Sequence, residues 1–176
     1  LAVGGSVTFA HDLDVSRKTS LAGVVANGTS QWTYDVPETY RGGFQARLSD
    51  RWRLGGDATL QLYDKLEGNP DWADDAVKEY SACLGLERVI SFERHGGKNN
   101  LPLRLGFRYR RWGHLVNVAE VKEQTFSIGT GFPFRAKMGM LDVALSYSMI
   151  GDQTKNLMES NVWRMTVSVT GLEKWW

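Results

Sequence analysis

Three arginines, Arg104, Arg108 and Arg110, fall on one parity of the segment 101–112, so they share one side of an extended chain. The opposite parity of the same segment runs Leu103, Leu105, Phe107 and Tyr109. Glu87 takes the equivalent polar position in the preceding apolar-alternating segment, Asp57 the one before that, and Arg41 and Arg47 the one before that again. Two chemistries suit such a constellation. A basic stripe can receive a carboxylate or another anionic headgroup through charge-assisted hydrogen bonds. Alternatively, the charges pair with one another and stiffen a polar interior, with Glu87 and Asp57 as the main partners of the arginines. The second reading is favoured, and on either one Arg104, Arg108, Arg110, Glu87, Asp57, Arg41 and Arg47 are expected to line a lumen.

Nothing else in the chain suggests covalent chemistry. His11 falls on an apolar face, His95 in a short turn and His114 in a connecting segment; none shares a face with a serine and a carboxylate in a relay. No catalytic residue is expected. Asp71, Asp74 and Asp75 surround Trp72 but lack the ordered ligand spacing of a calcium loop, and the single cysteine, Cys83, matches no metal pattern. Gly129-Thr130-Gly131 precedes no helix and is no phosphate loop. Neither metal nor cofactor is expected.

The elements that must position these residues are strands. Apolar side chains alternate over segments 6–17, 39–48, 51–63, 80–92, 101–112, 123–134, 141–150 and 161–172. Most of these run to around ten residues, against about 5–6 for a globular strand. No apolar run approaches the roughly 18 residues of a membrane helix, but a barrel strand needs only about 9–11 with every second one apolar. Basic and acidic residues balance at 21 against 20, so no global field draws the chain to nucleic acid. The fold class expected is therefore all-β: an antiparallel transmembrane β-barrel segment, one domain over residues 1–176, with about eight strands present.

Short turns are expected at 49–50, 93–100 and 135–140, and longer polar connections at 18–38, 64–79, 113–122 and 151–160. Outer-membrane barrels have short periplasmic turns and longer external loops, which sets the orientation. Tyr40, Tyr80, Tyr109, Phe126, Tyr147 and Trp163 then form an outer aromatic girdle, with Trp52, Phe92, Phe134 and Trp175 at the inner level. Arg88, on an apolar face, must lie near an interface. A soluble eight-stranded lipid carrier would invert the faces; the glycines on the polar parity, among them Gly43, Gly55, Gly85, Gly106, Gly129 and Gly131, fit the concave side of a curved sheet on either reading.

Several short motifs resemble the FadL-type outer-membrane transport proteins: Val36-Pro37-Glu38-Thr39-Tyr40 with Trp52-Arg53-Leu54-Gly55-Gly56-Asp57, Leu103-Arg104-Leu105-Gly106-Phe107, Gly129-Thr130-Gly131-Phe132, Leu141-Asp142-Val143-Ala144-Leu145, and the terminal Glu173-Lys174-Trp175-Trp176. The resemblance implies that the chain is the C-terminal portion of a barrel of about fourteen strands. It further implies passive uptake of hydrophobic or amphipathic small molecules across the bacterial outer membrane, with membrane lipid as surroundings. The alternative is a structural or docking barrel subunit of an envelope or secretion complex, with other envelope proteins as partners.

Overall fold

The structure is a computed structural model that describes residues 1–19, 28–65, 76–94, 97–134 and 139–171. Among them are ten strands: β1 (Ala2–Thr8), β2 (His11–Thr19), β3 (Gly28–Val36), β4 (Thr39–Arg47), β5 (Trp52–Gln61), β6 (Glu79–Arg94), β7 (Gly97–Val116), β8 (Ala119–Phe134), β9 (Gly139–Asp152) and β10 (Met158–Gly171). A four-residue helix, α1 (Gln153–Asn156), joins the last two. Eight strands form one antiparallel sheet in the order β1-β4-β5-β6-β7-β8-β9-β10, and β2 and β3 form a separate hairpin. The large sheet is not closed: β1 and β10 are its edges.

Register carries the sequence parity across the whole sheet. One polar row runs Arg53–Glu87–Arg104–Gly129–Ala144–Thr166, strand to strand, and the next runs Gln45–Gly55–Gly85–Gly106–Ser127–Ser146–Arg164. The other face carries rows such as Leu84–Phe107–Phe126–Tyr147–Trp163. A pleated strand sends alternate residues to opposite sides, so one alternating sequence per strand, in matched register, sorts an entire sheet into an apolar and a polar face.

Among the described residues, no other element covers the apolar face. Leu84, Leu105, Ile128 and Met165 are all exposed, Met165 to 68%, and the buried hydrophobic side chains among the described residues are Leu62 and Val121. Burial in a core is what normally repays the conformational entropy of so many ordered residues. Aromatic contacts decorate this face: Tyr80 and Tyr109 lie 5.5 Å apart, Phe107 and Phe126 5.0 Å, and Tyr147 and Trp163 4.7 Å. Arg88, the charge on the apolar parity, sits 5.2 Å over the ring of Trp52. Phe92 and Phe134 belong to β6 and β8, while Trp175, Trp72 and the acidic segment holding Asp71, Asp74 and Asp75 lie outside the described residues.

Four expected boundaries are corrected. Segment 6–17 is not one strand: β1 ends at Thr8, opposite Thr39, because its partner β4 begins there after Pro37, which has no amide hydrogen for a ladder. The connection expected over 18–38 holds the end of β2 and the whole of β3, which pair in a hairpin separate from the main sheet that leaves it at Phe9-Ala10 and Pro37-Glu38; residues 20–27 lie outside the described residues. The turn expected at 93–100 is narrower, since Arg94 still pairs with Gly97. The loop expected at 113–122 is a continuation of β7 and β8 past a register shift between Arg111 and Leu115, closed by the two-residue turn Asn117-Val118. Gly113 and His114 there read as loop residues, and incorporation into β7 overrode their propensity, while Asn117 keeps to the turn. The turn at 48–51 follows its sequence: Ser49 Oγ accepts from the amides of Arg51 and Trp52, and Arg47 pairs with Asp50 at 2.7 Å.

Candidate functional site

The polar face holds a two-tier charge network. In the inner tier, Arg53 Nη1 donates to Glu87 Oε1 at 2.9 Å, Arg104 Nε donates to Glu87 Oε2 at 2.9 Å, and Arg104 Nη1 donates to Asp142 Oδ1 at 2.6 Å. Four residues on β5, β6, β7 and β9 are thus linked in series. Arg104 reaches across β8 because its neighbours there are Gly129, its register partner, and Gly131, the register partner of Asp142. A Cβ at Gly131 would lie 2.6 Å from Asp142 Oδ1.

The outer tier centres on Glu123, which is nearly buried at 7% exposure. It accepts from Arg108 Nη2, Trp112 Nε1 and Thr125 Oγ1, each at 3.2 Å, and Thr125 in turn meets Ser148 at 2.8 Å. Arg110 donates to Glu79 from Nε at 2.8 Å and from Nη2 at 2.7 Å, while its guanidinium lies 5.4 Å over Trp112. Arg108 Nε is buried without a partner among the described residues.

Between the tiers the row Gly55–Gly85–Gly106 has no side chains, and two recesses open along it. One, of ≈ 480 Å³, is bordered by Gln45, Asp57, Cys83, Arg108 and Thr125; the other, of ≈ 240 Å³, by Gln45, Arg53, Glu87 and Arg104. Gly106 is constrained as well as bare, since a Cβ there would stand 2.5 Å from Ser127 Oγ.

The sequence therefore brought the right residues to one face but assigned several partners wrongly. Glu87 does pair with Arg104. Asp57 faces Cys83 across β5 and β6 and forms no ion pair among the described residues. Arg108 takes Glu123 instead, and Arg110 takes Glu79. Arg47 is spent on the inner turn with Asp50, and Arg41 lies in the row of Ser6 and Thr59. Glu123, Asp142 and Trp112 were missed as network members; their polar parity was the available signal. His11 Nδ1 lies 3.1 Å from the Phe9 carbonyl oxygen, and His114 meets Trp112 edge-on at 5.4 Å. His95 lies outside the described residues. No cluster of metal-ligating side chains occurs among the described residues.

A large open antiparallel sheet with one face of exposed apolar side chains and the other of ion-paired charges and glycines defines a class: all-β proteins built on an amphipathic sheet. The match that places this chain within the class runs over residues 9–176, and by it the chain belongs to the BamG family. No curated protein matches it.

That match corrects the FadL-type reading. The motifs that suggested it, such as Leu103-Arg104-Leu105-Gly106-Phe107, report alternation with glycine on the concave parity, which any strand with one apolar face and a crowded polar face shows. Passive uptake of hydrophobic molecules rested on that resemblance and falls with it. The family is a bacterial outer-membrane-associated component, so the envelope location stands. Other envelope proteins remain as partners, whereas nothing supports a small-molecule cargo.

Proposed function

We propose that this chain is a structural or docking subunit associated with the Bam complex at the outer membrane, with its eight-stranded sheet embedded in the bilayer. The family match over residues 9–176 carries the reading. The exposed apolar face supports the embedding, because among the described residues the sheet fully buries few apolar side chains against protein and so needs another apolar medium. In lipid the two free edges need partners too, since unpaired backbone groups are not tolerated in hydrocarbon.

The charge network supports a scaffold over a conduit. Arg104, Arg108 and Arg110 each have a carboxylate partner, so the arginines present no free basic stripe to an anionic headgroup. Affinity purification of the tagged intact protein from outer membranes tests the proposal. Recovery of Bam components is expected, together with unchanged hydrophobic-compound uptake and an altered outer-membrane protein profile when the gene is deleted. Absence of Bam components from the purified material overturns it.

A further inference from the structure

Two turns at the outer end of the sheet combine exposure, apolar character and backbone strain. In the β7–β8 turn, Asn117 and Val118 both take left-handed backbone angles, φ 54° and 61°. A two-residue turn of this kind favours asparagine followed by glycine, and a β-branched residue at positive φ is an outlier. Val118 nonetheless occupies it with 86% of its surface exposed. In the β9–β10 connection, Leu157 caps α1 at φ 54°, where glycine is the usual residue, and is 72% exposed.

Hydrogen bonds tie the two turns together. Asn156, 2% exposed, directs Nδ2 at the carbonyl oxygens of Val116, Ala119 and Glu120 at 3.4, 3.2 and 3.3 Å. Asn117 Nδ2 returns the contact, donating to the Lys155 carbonyl at 3.2 Å. Val121, three residues after the β7–β8 turn residue Val118, is fully buried.

Their position excludes lipid tails as the reason for exposure. Arg111 lies 5.6 Å from the ring of Tyr80, in the outer aromatic row, and β7 runs on to Val116, roughly 16 Å further along the strand at the usual rise. The recess of ≈ 660 Å³ between the turns is bordered by Glu120, Lys122, Asp152, Lys155 and Glu159. A polyanionic lipid headgroup calls for a surface of one sign, whereas this rim carries three acidic and two basic residues. Mixed charge around aliphatic anchors is the composition of a protein–protein contact, apolar at its centre and polar at its rim.

The geometry points to the paired turns as a docking surface for a protein partner, with Val118 and Leu157 inserted into an apolar depression and the mixed-charge rim setting orientation. The inference rests on the Bam-associated reading and commits the occupant to a protein of that complex. Valine and leucine stand where glycine or asparagine would be unstrained, and such breaks of a local rule are expected at functional sites.

The test uses the intact protein in cells, with a photo-crosslinking amino acid at position 118 or 157, and at 50, an exposed position in the opposite turn, as control. Adducts to a Bam component are expected from 118 and 157 and not from 50. The double variant Val118→Asn, Leu157→Asn keeps residues at ease with a left-handed backbone and removes the apolar anchors; recovery of Bam components with it should fall about tenfold or more at unchanged outer-membrane abundance. Adducts to lipopolysaccharide alone, no adducts, or native-level recovery with the double variant each overturn the docking surface. Native-level recovery leaves the proposed function standing, whereas failure of the native protein to recover any Bam component removes both.

Discussion

Arg104 on β7 pairs with Asp142 on β9 at 2.6 Å by reaching over β8, where Gly129 and Gly131 leave the way clear. The ion pair and the glycines are one device. A strand with side chains at those two positions would hold its neighbours' charges apart, and the series from Arg53 to Asp142 would end at Arg104.

Gly131→Ala should accordingly behave like loss of Asp142. Its Cβ would displace Asp142 Oδ1 and also crowd Met140 Sδ at 3.0 Å. Arg104 keeps Glu87, so the pair itself contributes about 1 kcal/mol. Gly131→Ala and Asp142→Ala should each lower the unfolding midpoint in detergent. The double variant should be no worse than the weaker single, because the two remove the same contact. Strict additivity would separate the glycine from the ion pair.

Val118→Gly should stabilise the β7–β8 turn by about 1 kcal/mol, the penalty of a left-handed non-glycine residue. Hydrogen exchange at the amides of residues 115–121 reads this directly. Slower exchange than in the native protein is expected, and faster exchange would mean that the valine is not strained there.

Spin labels placed singly along β7 should alternate. Positions 103, 105 and 107 should respond to a lipid-soluble relaxation agent, and 104, 108 and 110 to a water-soluble one, because register sends the two sets to opposite faces. Lipid-soluble quenching at 104 and 108 would invert the proposed embedding.

The outer turn should loosen in acid. Hydrogen bonds from the Thr154 side chain and backbone amide hold the Asp152 carboxyl below its ordinary value of 3.8, with Lys155 adding a smaller attraction. A depressed folded-state pKa contributes stability above the unfolded value that is lost as pH falls through the folded one. Protection factors at residues 153–157 should therefore fall below about pH 4 in the native protein. Asp152→Asn should remove that pH dependence, and an unchanged acid limb in the variant would assign it elsewhere.

Sequence by itself determined the material of this fold. Alternation in segments 39–48, 80–92, 101–112 and 141–150 foretold strands, their two faces, and the company of Arg104 with Glu87, because a period of two is a local property of the extended chain. It could not determine who pairs with whom. Glu123 and Glu79 reach Arg108 and Arg110, and Asp57 does not, through strand register, which hydrogen bonds between distant segments set. The same holds at the ends of strands: Gly113 and His114 look like loop residues, yet β7 runs through them to a hairpin turn at Asn117-Val118, while β2 and β3 leave, at Phe9-Ala10 and Pro37-Glu38, the sheet that their alternation matches. Local periodicity chose the faces; only the paired tertiary sheet decided the neighbours.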